Sequence, residues 1–501
     1  MNKIFSKSLK HTVVSEILIF LLTIATSQCF AQSPSATARP NAEKEKLYSD
    51  IINSLFYYIQ DNYVEEVDLE VLYQGAIKGM LQALNDPYSV YMPKDEWRSL
   101  QDTTVGSFGG VGLSITKPTE STPEKPAYVE VSQPIDNSPG AMAGIRAGDL
   151  IVEIDGVDTA SITMNEVLDR LRGVVGTKVK VKIRRGKTME FEVELVRAII
   201  ENPTVKYGMI GTTGYVRVTE FSSTTAKRFQ EAIDSFTKSG YKALVIDLRN
   251  NGGGLLTAAV DIADKFIDKG VIVSTKSRLS YENAVYFAKK SKTTVKDIPT
   301  IVLINGATAS ASEILSGALK DTKKAYLVGE KTYGKGSVQI PSNLVSEDGF
   351  KITVARYYSP SDTNIDKVGI KPDKQVSYEE FTEDEEKAYA ELMKADVIAP
   401  YVENHPNMTE KDISSYAEEL YKKYPFDKRV IRKLIRNEYD RTQPARLYDL
   451  DYDIQLNEAL RILKEEDFSK LMKNTKTLKE LEAEAEKEKA SNEKAAKESG
   501  K

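Results

Sequence analysis

The chain is 501 residues long, 41% hydrophobic and 29% charged, with a formal net charge of −5. That length exceeds what one core usually organises, so two to four structural units are expected, and the mild acidity gives no reason to expect nucleic acid as a partner. One cysteine, Cys29, and two distant histidines, His11 and His405, offer neither a metal cluster nor a redox pair.

Residues 1–31 read as an export signal. Lys3, Lys7 and Lys10 precede the apolar run Ile17–Ala25, and small residues at −3 and −1 place cleavage after Ala31, leaving Gln32 first. The run falls short of the roughly 20 apolar residues that span a membrane, so membrane association is expected only through an uncleaved signal segment. Acylation of Cys29 is disfavoured by Gln28, which stands where a small residue is wanted. Cleavage after Ala31 would also remove the only thiol. An exported protein of the periplasm or cell envelope is the expectation.

Residues 32–42 read as a flexible leader, and 43–100 carry helical apolar spacing (Leu47, Ile51, Leu55, then Leu72, Ile77, Met80, Leu84), with Asn85-Asp-Pro-Tyr88 stopping the second helix. Over 105–195 the pattern turns to short strands and glycine turns, among them Leu150–Ile154, Lys178–Ile183 and Glu190–Leu195. From about 200 to 375, strands alternate with helices. Ala243–Asp247 and Thr300–Ile304 are continuous apolar runs, as expected of strands covered on both faces. Each is followed by a small-residue turn and a helical stretch, and sites in such sheets form at the carboxyl ends of the strands. Residues 376–473 return to helical spacing, and 474–501 form a Lys/Glu/Ala tail, either a solvated helix or disordered.

The turn after Thr300–Ile304 is Asn305-Gly-Ala-Thr-Ala-Ser310-Ala-Ser-Glu313, which sets a serine on tight backbone at a helix start, where developing negative charge is favoured. Ser310 or Ser312 serving only as a helix cap is the plainer reading of that turn taken alone. A serine nucleophile needs a base. His405 lies in a charged helical region and reads as an exposed loop residue, so lysine is the candidate, its pKa lowered from about 10.4 by desolvation. Lys335, between Gly334 and Gly336, can approach another loop closely, and Gln339 could orient its amine or a substrate amide. Taken singly, a loop lysine is commonly exposed. The consecutive glycines Gly252, Gly253 and Gly254 after Asp247 can aim main-chain N–H groups at an oxyanion, or form an ordinary turn.

Asp247–Leu255, Asn305–Glu313, Gly329-Glu-Lys-Thr-Tyr-Gly-Lys-Gly-Ser-Val-Gln339 and Thr353-Val-Ala-Arg-Tyr-Tyr-Ser-Pro360, in this order, closely resemble the carboxyl-terminal processing peptidases. The resemblance runs from about Tyr48 to Asp373 and takes in Asp86-Pro-Tyr-Ser89, Gly144–Asp149 and Leu171-Arg-Gly173. It implies a mixed α/β, crotonase-like peptidase core with an inserted β-rich PDZ domain. It also implies Ser310 as nucleophile, Lys335 as general base and Gln339 as the residue positioning the lysine. The oxyanion donors would be an N–H in Gly252–Gly254, with Gly253 first, and that of Ser310 or its neighbour. Gly110, Val111, Gly112 and Leu113 resemble the carboxylate-binding loop of PDZ domains, where a peptide C-terminus adds to a sheet edge. Arg146 and Arg172 are candidates for relaying occupancy to the core, or ordinary surface ion pairs.

Three rivals remain. Gly329–Lys335 fits a phosphate-binding loop, but Gly336 stands where Ser or Thr would bind magnesium. Ser114–Lys117 and Ser239–Lys242 fit the S-x-x-K of penicillin-binding Ser–Lys acyl enzymes, without nearby S-D-N or K-T-G. A non-catalytic PDZ scaffold is the third. The reading carried forward is a serine endopeptidase that recognises C-terminal tails of exported proteins and uses no metal or organic cofactor. A homo-oligomer and a regulatory adaptor are further candidate partners.

Overall fold

The computed structural model describes residues 41–499, apart from 119–120, 123–125, 136, 187, 202, 346, 379 and 442–445. The expected signal, Cys29 and most of the leader lie outside the described residues. Those described fall into two compact units, one ending at Ala83 and one starting at Leu84.

The first unit holds the helices Ala42–Asn62 and Leu69–Gln82, the second capped by the Asp68 carboxylate, which accepts from the Glu70 N–H at 2.8 Å. Neither helix buries a residue, and Leu47, Ile51 and Leu55 stay more than half exposed. The helical region expected over 43–100 is divided: the second helix ends at Gln82, just ahead of the Asn85–Tyr88 stop, and residues from Leu84 onward belong to the second unit. Asn85, left-handed at φ 51°, turns the chain away after the helix, and Val90–Met92 becomes a strand because it pairs antiparallel with Gly349–Lys351. Helix resumes over Lys94–Val105.

The second unit is organised by a six-stranded sheet whose spatial order follows the chain: β1 (Val205–Ile210), β2 (Thr213–Val218), β3 (Ala243–Asp247), β4 (Thr300–Ile304), β5 (Tyr326–Gly329) and β6 (Lys374–Gln375). β1 is antiparallel to β2, and every later pair is parallel. All five residues of β3 and of β4 are buried, which requires cover on both faces. On one face Leu244, Ile246, Val302 and Ile304 pack under α1 (Thr225–Lys238), α2 (Leu256–Ala263) and α3 (Ala311–Asp321). On the other, Tyr215, Val245, Ile301, Leu303 and Val328 meet Leu456, Ala459 and Ile462 of the helix Ile454–Glu465. Each such aliphatic side chain contributes about 1.5–3 kcal/mol by leaving water. The C-terminal region is therefore part of the core's cover.

A second, antiparallel sheet runs Val90–Met92, Gly349–Tyr358, Val271–Lys276, Ala284–Phe287, with Ser337–Asn343 folded onto Gly349–Tyr358. The β-rich module is a five-stranded antiparallel path, Leu113–Thr116, Val129–Pro134, Leu150–Ile154, Lys178–Arg185, Met189–Val196, closed by the helix Met164–Leu171 around Val129, Ile151, Ile154 and Ile183. Leu113–Thr116 forms one edge of that sheet.

Helices between Glu383 and Asp440 bury a separate cluster including Leu392, Ile413, Leu420 and Ile435. The charged tail forms the helix Leu478–Ser499, with Leu478 buried in the main core. Among the described residues, no helix is long and apolar enough to cross a membrane.

Candidate active site

Ser310 caps α3 with φ 56° and ψ −117°, a conformation that costs a side-chain-bearing residue about 1–3 kcal/mol. The surrounding turn holds it there. Glu313, in the first turn of α3 and 1% exposed, accepts the Ser310 N–H at 2.9 Å through Oε2. The same oxygen accepts the Lys335 N–H at 2.9 Å, and Oε1 accepts the Gly334 N–H at 2.8 Å and the Thr332 hydroxyl at 2.5 Å. One buried carboxylate thus ties the serine loop to the lysine loop. Burial pushes the Glu313 carboxyl above its ordinary range, against the pull of these four bonds. The buried Tyr357 makes a second tie, its hydroxyl lying 3.2 Å from the Ser310 carbonyl and also donating to that of Lys335.

Ser310, Lys335 and Gln339 line one cleft of about 790 Å³ together with Gly252, Gly253 and Gly254. Burial lowers the Lys335 pKa, and the nearby Lys351 charge lowers it further, while Glu313 and Asp86 pull the other way. The Lys335 ammonium group lies 4.9 Å from the centre of the Tyr88 ring. Burial opposes ionisation of Asp86, yet hydrogen bonds from Ser89, Thr353 and the Tyr88 N–H hold its carboxyl below the usual range, helped by the Lys335 charge. The Asp-Pro-Tyr-Ser segment therefore forms the floor under the lysine.

Gln339 sits otherwise than expected. Its amide donates to the hydroxyls of Ser337 at 2.9 Å and Thr353 at 3.1 Å, and it makes no hydrogen bond to Lys335 among the described residues. It reaches the lysine's surroundings through Thr353 and Asp86. Nor are the Ser310 hydroxyl and the Lys335 amine hydrogen-bonded to each other.

Two of the N–H groups expected as oxyanion donors have acceptors within the protein. The Gly253 N–H is given to Asn251 Oδ1 at 2.9 Å, and that of Ser310 to Glu313. Among the described residues, the N–H groups of Gly252, Gly254 and Ala311 make no hydrogen bond. Gly253 packs closely on the serine loop: a Cβ there would lie 2.7 Å from Ser310 Cβ and 2.9 Å from the Ala311 nitrogen.

In the β-rich module, Gly110 pairs with Ala198, Val111 is buried and Leu113 begins the edge strand. Gly112 has φ 70°, and its carbonyl accepts the Ser138 hydroxyl at 2.9 Å. Among the described residues, the N–H groups of Val111 and Gly112 make no hydrogen bond. Arg172 pairs with Asp102 at 2.5 Å. Asp102 lies on the helix Lys94–Val105, whose Leu100, Thr103 and Thr104 line the cleft. Asn165 donates to Asp95 of the same helix at 2.7 Å, and Arg98 pairs with Asp169. Arg146 is exposed, and its side chain makes no hydrogen bond or ion pair among the described residues. Of the two arginines, only Arg172 touches an element that reaches the cleft.

The rivals fare poorly. Two N–H groups of the Gly329–Lys335 loop are committed to the Glu313 carboxylate, which would repel phosphate. Lys117 donates to the carbonyls of Ala127 and Thr159 within the β-rich module. Among the described residues, no group of His, Cys, Asp and Glu is placed to hold a metal. His405 is exposed and stacks on Tyr401 with ring centres 4.1 Å apart, within the C-terminal helices.

Comparison with known proteins matches peptidase family S41 to residues 212–376, a PDZ domain to 130–185, and the N-terminal domain of the activating protease CtpB to 20–96. A carboxy-terminal-processing protease of Bartonella bacilliformis is 37% identical over 370 residues, covering 72% of this chain and 82% of its own. The carboxy-terminal processing protease CtpA of Bacillus subtilis is 34% identical over 371 residues, covering 74% and 76%. Among solved structures, the photosystem II D1 C-terminal processing protease is 32% identical with a TM-score of 0.37, covering 64% of this chain and 84% of its own.

Proposed function

Because the chain belongs to the carboxyl-terminal processing peptidases of family S41, serine-type peptidases that here carry a PDZ domain, we propose that it cleaves peptide bonds with Ser310 as nucleophile and Lys335 as base. The observation that carries this reading is a lysine whose pKa is lowered by burial, in one cleft with a strained serine at a helix start.

The Ser310 oxygen attacks the substrate carbonyl while its proton passes to the neutral Lys335 amine. The carbonyl oxygen's negative charge falls to the N–H groups of Gly252, Gly254 and Ala311, at the positive end of α3. The Lys335 ammonium then gives its proton to the departing amine nitrogen, leaving an acyl-serine. Water, deprotonated by Lys335, releases the acid and restores the serine. Since serine and lysine are not hydrogen-bonded to each other, the lysine must turn within the cleft before the first step. The ties from the PDZ helix to Lys94–Val105 offer a route by which an occupied module promotes that turn.

The PDZ module's ligand, on this reading, is a free peptide C-terminus. The N–H groups of Val111 and Gly112 would hold the carboxylate while the chain adds to the edge Leu113–Thr116. The lysine-led apolar N-terminus supports substrates in the cell envelope, and the exposed apolar faces of the first unit support self-association. Steady-state cleavage of matched free-acid and amidated peptides tests the tail-reading step. The free acid should be cut faster by the wild type, and Gly112→Val, whose Cβ would lie 2.2 Å from Ser138 Cβ, should erase the difference. Equal cleavage of both peptides by the wild type removes tail recognition and leaves the peptidase.

A further inference from the structure

Arg249 follows β3 and opens the glycine turn. Its guanidinium is gripped on two sides. Nε and Nη2 donate to the two oxygens of Asp247 at 2.9 and 2.6 Å, and Nη1 and Nη2 to those of Asp453 at 2.7 and 2.6 Å. Gln455 Oε1 takes a further bond from Nη1 at 3.1 Å, and the Tyr215 hydroxyl donates to Asp247 at 2.7 Å. Asp247 is fully buried and Asp453 partly so, with side-chain exposures of 1% and 16%. Burial opposes the charges of Asp247 and Arg249, yet the mutual bonds hold the Asp247 carboxyl low and the Arg249 guanidinium high. Bidentate pairing fixes a guanidinium in orientation as well as in place.

Asp453 comes from a segment 204 residues away, where it caps Ile454–Glu465 by accepting the Leu456 N–H at 2.9 Å. That helix is the one packed on the outer face of β2 to β5. Downstream of Arg249, Asn250 and Asn305 exchange two hydrogen bonds of 3.0 and 2.9 Å, joining the glycine turn to the serine loop. The Asn251 carbonyl accepts the Ala309 N–H at 3.0 Å and the Ser312 hydroxyl at 2.9 Å. Any shift of Arg249 is therefore passed to both walls that meet the substrate carbonyl.

We infer that Asp453 is a positioning residue for the peptidase reaction: through Arg249 it fixes the glycine turn, which makes the C-terminal helical region part of the active-site frame. This rests on the assignment of that turn as the oxyanion site.

The test uses the full chain with Asp453→Ala, Asp453→Asn and, as a reference, Gly253→Ala. The readouts are kcat and KM on a peptide and the rate at which a fluorophosphonate labels Ser310. Misplaced oxyanion donors cost from about tenfold to roughly 10²-fold in rate. Asp453→Ala should lose kcat and labelling rate in that range, with KM within about twofold of wild type. Asp453→Asn keeps one acceptor and should fall between. If Asp453→Ala does not fold, the graded loss is read from Asp453→Asn and from Gln455→Ala. Gly253→Ala impaired beside a fully active Asp453→Ala, or a loss confined to KM, overturns the positioning role alone. If Gly253→Ala is also fully active, the oxyanion assignment falls with it.

Discussion

In Glu313→Gln the side chain keeps its length while one carboxylate oxygen becomes an NH2 group. Oε2 receives two main-chain N–H groups, from Ser310 and Lys335, neither of which can reverse its polarity. The amide oxygen will therefore take that position and the NH2 the other. There the Thr332 hydroxyl can rotate to accept, but the Gly334 N–H is left facing a donor. One buried N–H without an acceptor costs about 1–3 kcal/mol. Losing the charge weakens the two bonds that remain at the amide oxygen, whereas removing a buried charge returns part of that loss. A net destabilisation of about 1–3 kcal/mol should leave a cooperative fold, against a total of about 5–15 kcal/mol for a domain. The electrostatic consequence has a definite sign. Glu313 raises the Lys335 pKa against burial, so its neutralisation lets that pKa fall further. The acid limb of kcat/KM for a peptide should move to lower pH, and kcat should drop because the serine and lysine loops lose one tie. Thermal unfolding and a pH–rate profile read both effects. Unchanged melting together with an unmoved limb, or a limb moved to higher pH, would refute the view of Glu313 as the tie between the loops.

Lys351→Met removes the like charge that lowers the Lys335 pKa, so the acid limb should move to higher pH; a limb that stays put or moves down contradicts this. Lys335→Met should abolish hydrolysis and stabilise the fold. The folded chain holds this proton less tightly than the unfolded one, so the native state is penalised below the folded Lys335 pKa and the penalty fades as pH rises toward about 10.4. Urea midpoints should show a gain that is large near neutrality and vanishes in alkali; a gain that grows with pH would be the wrong sign. Gly253→Ala places a Cβ 2.7 Å from Ser310 Cβ at φ 108°, and kcat should fall by about 10²-fold or more with far-UV circular dichroism preserved.

Much of the peptidase body was legible in the chain. β3 and β4 coincide with the runs Ala243–Asp247 and Thr300–Ile304, whose apolar residues mark strands covered on both faces; their polar ends, Asp247 and Thr300, are buried with them. Ser310, Lys335, Gln339 and the glycine turn do share one cleft. What escaped reading depends on partners distant in sequence. The Val90–Met92 strand exists only because Gly349–Lys351 offers an edge. The Arg249–Asp453 pair joins segments that no local pattern links. Glu313 did carry a local signal, a Glu three residues after a helix-capping Ser, but that pattern reads as an ordinary capping box. Its bonds to Thr332, Gly334 and Lys335 emerge only when the two loops are brought together. Which N–H groups remain for an oxyanion likewise depends on side chains, those of Asn251 and Glu313, that the glycine pattern does not mention.

The most direct test of the account is the site and pH dependence of covalent labelling by a fluorophosphonate, read by intact mass and peptide mapping. The wild type should take one label, on Ser310, at a rate that rises with pH as Lys335 loses its proton. Ser310→Ala should take none, Lys335→Arg should label negligibly because arginine stays protonated, and His405→Ala should match the wild type. Labelling at another serine, or a His405→Ala protein as inert as Ser310→Ala, would contradict the Ser310–Lys335 assignment.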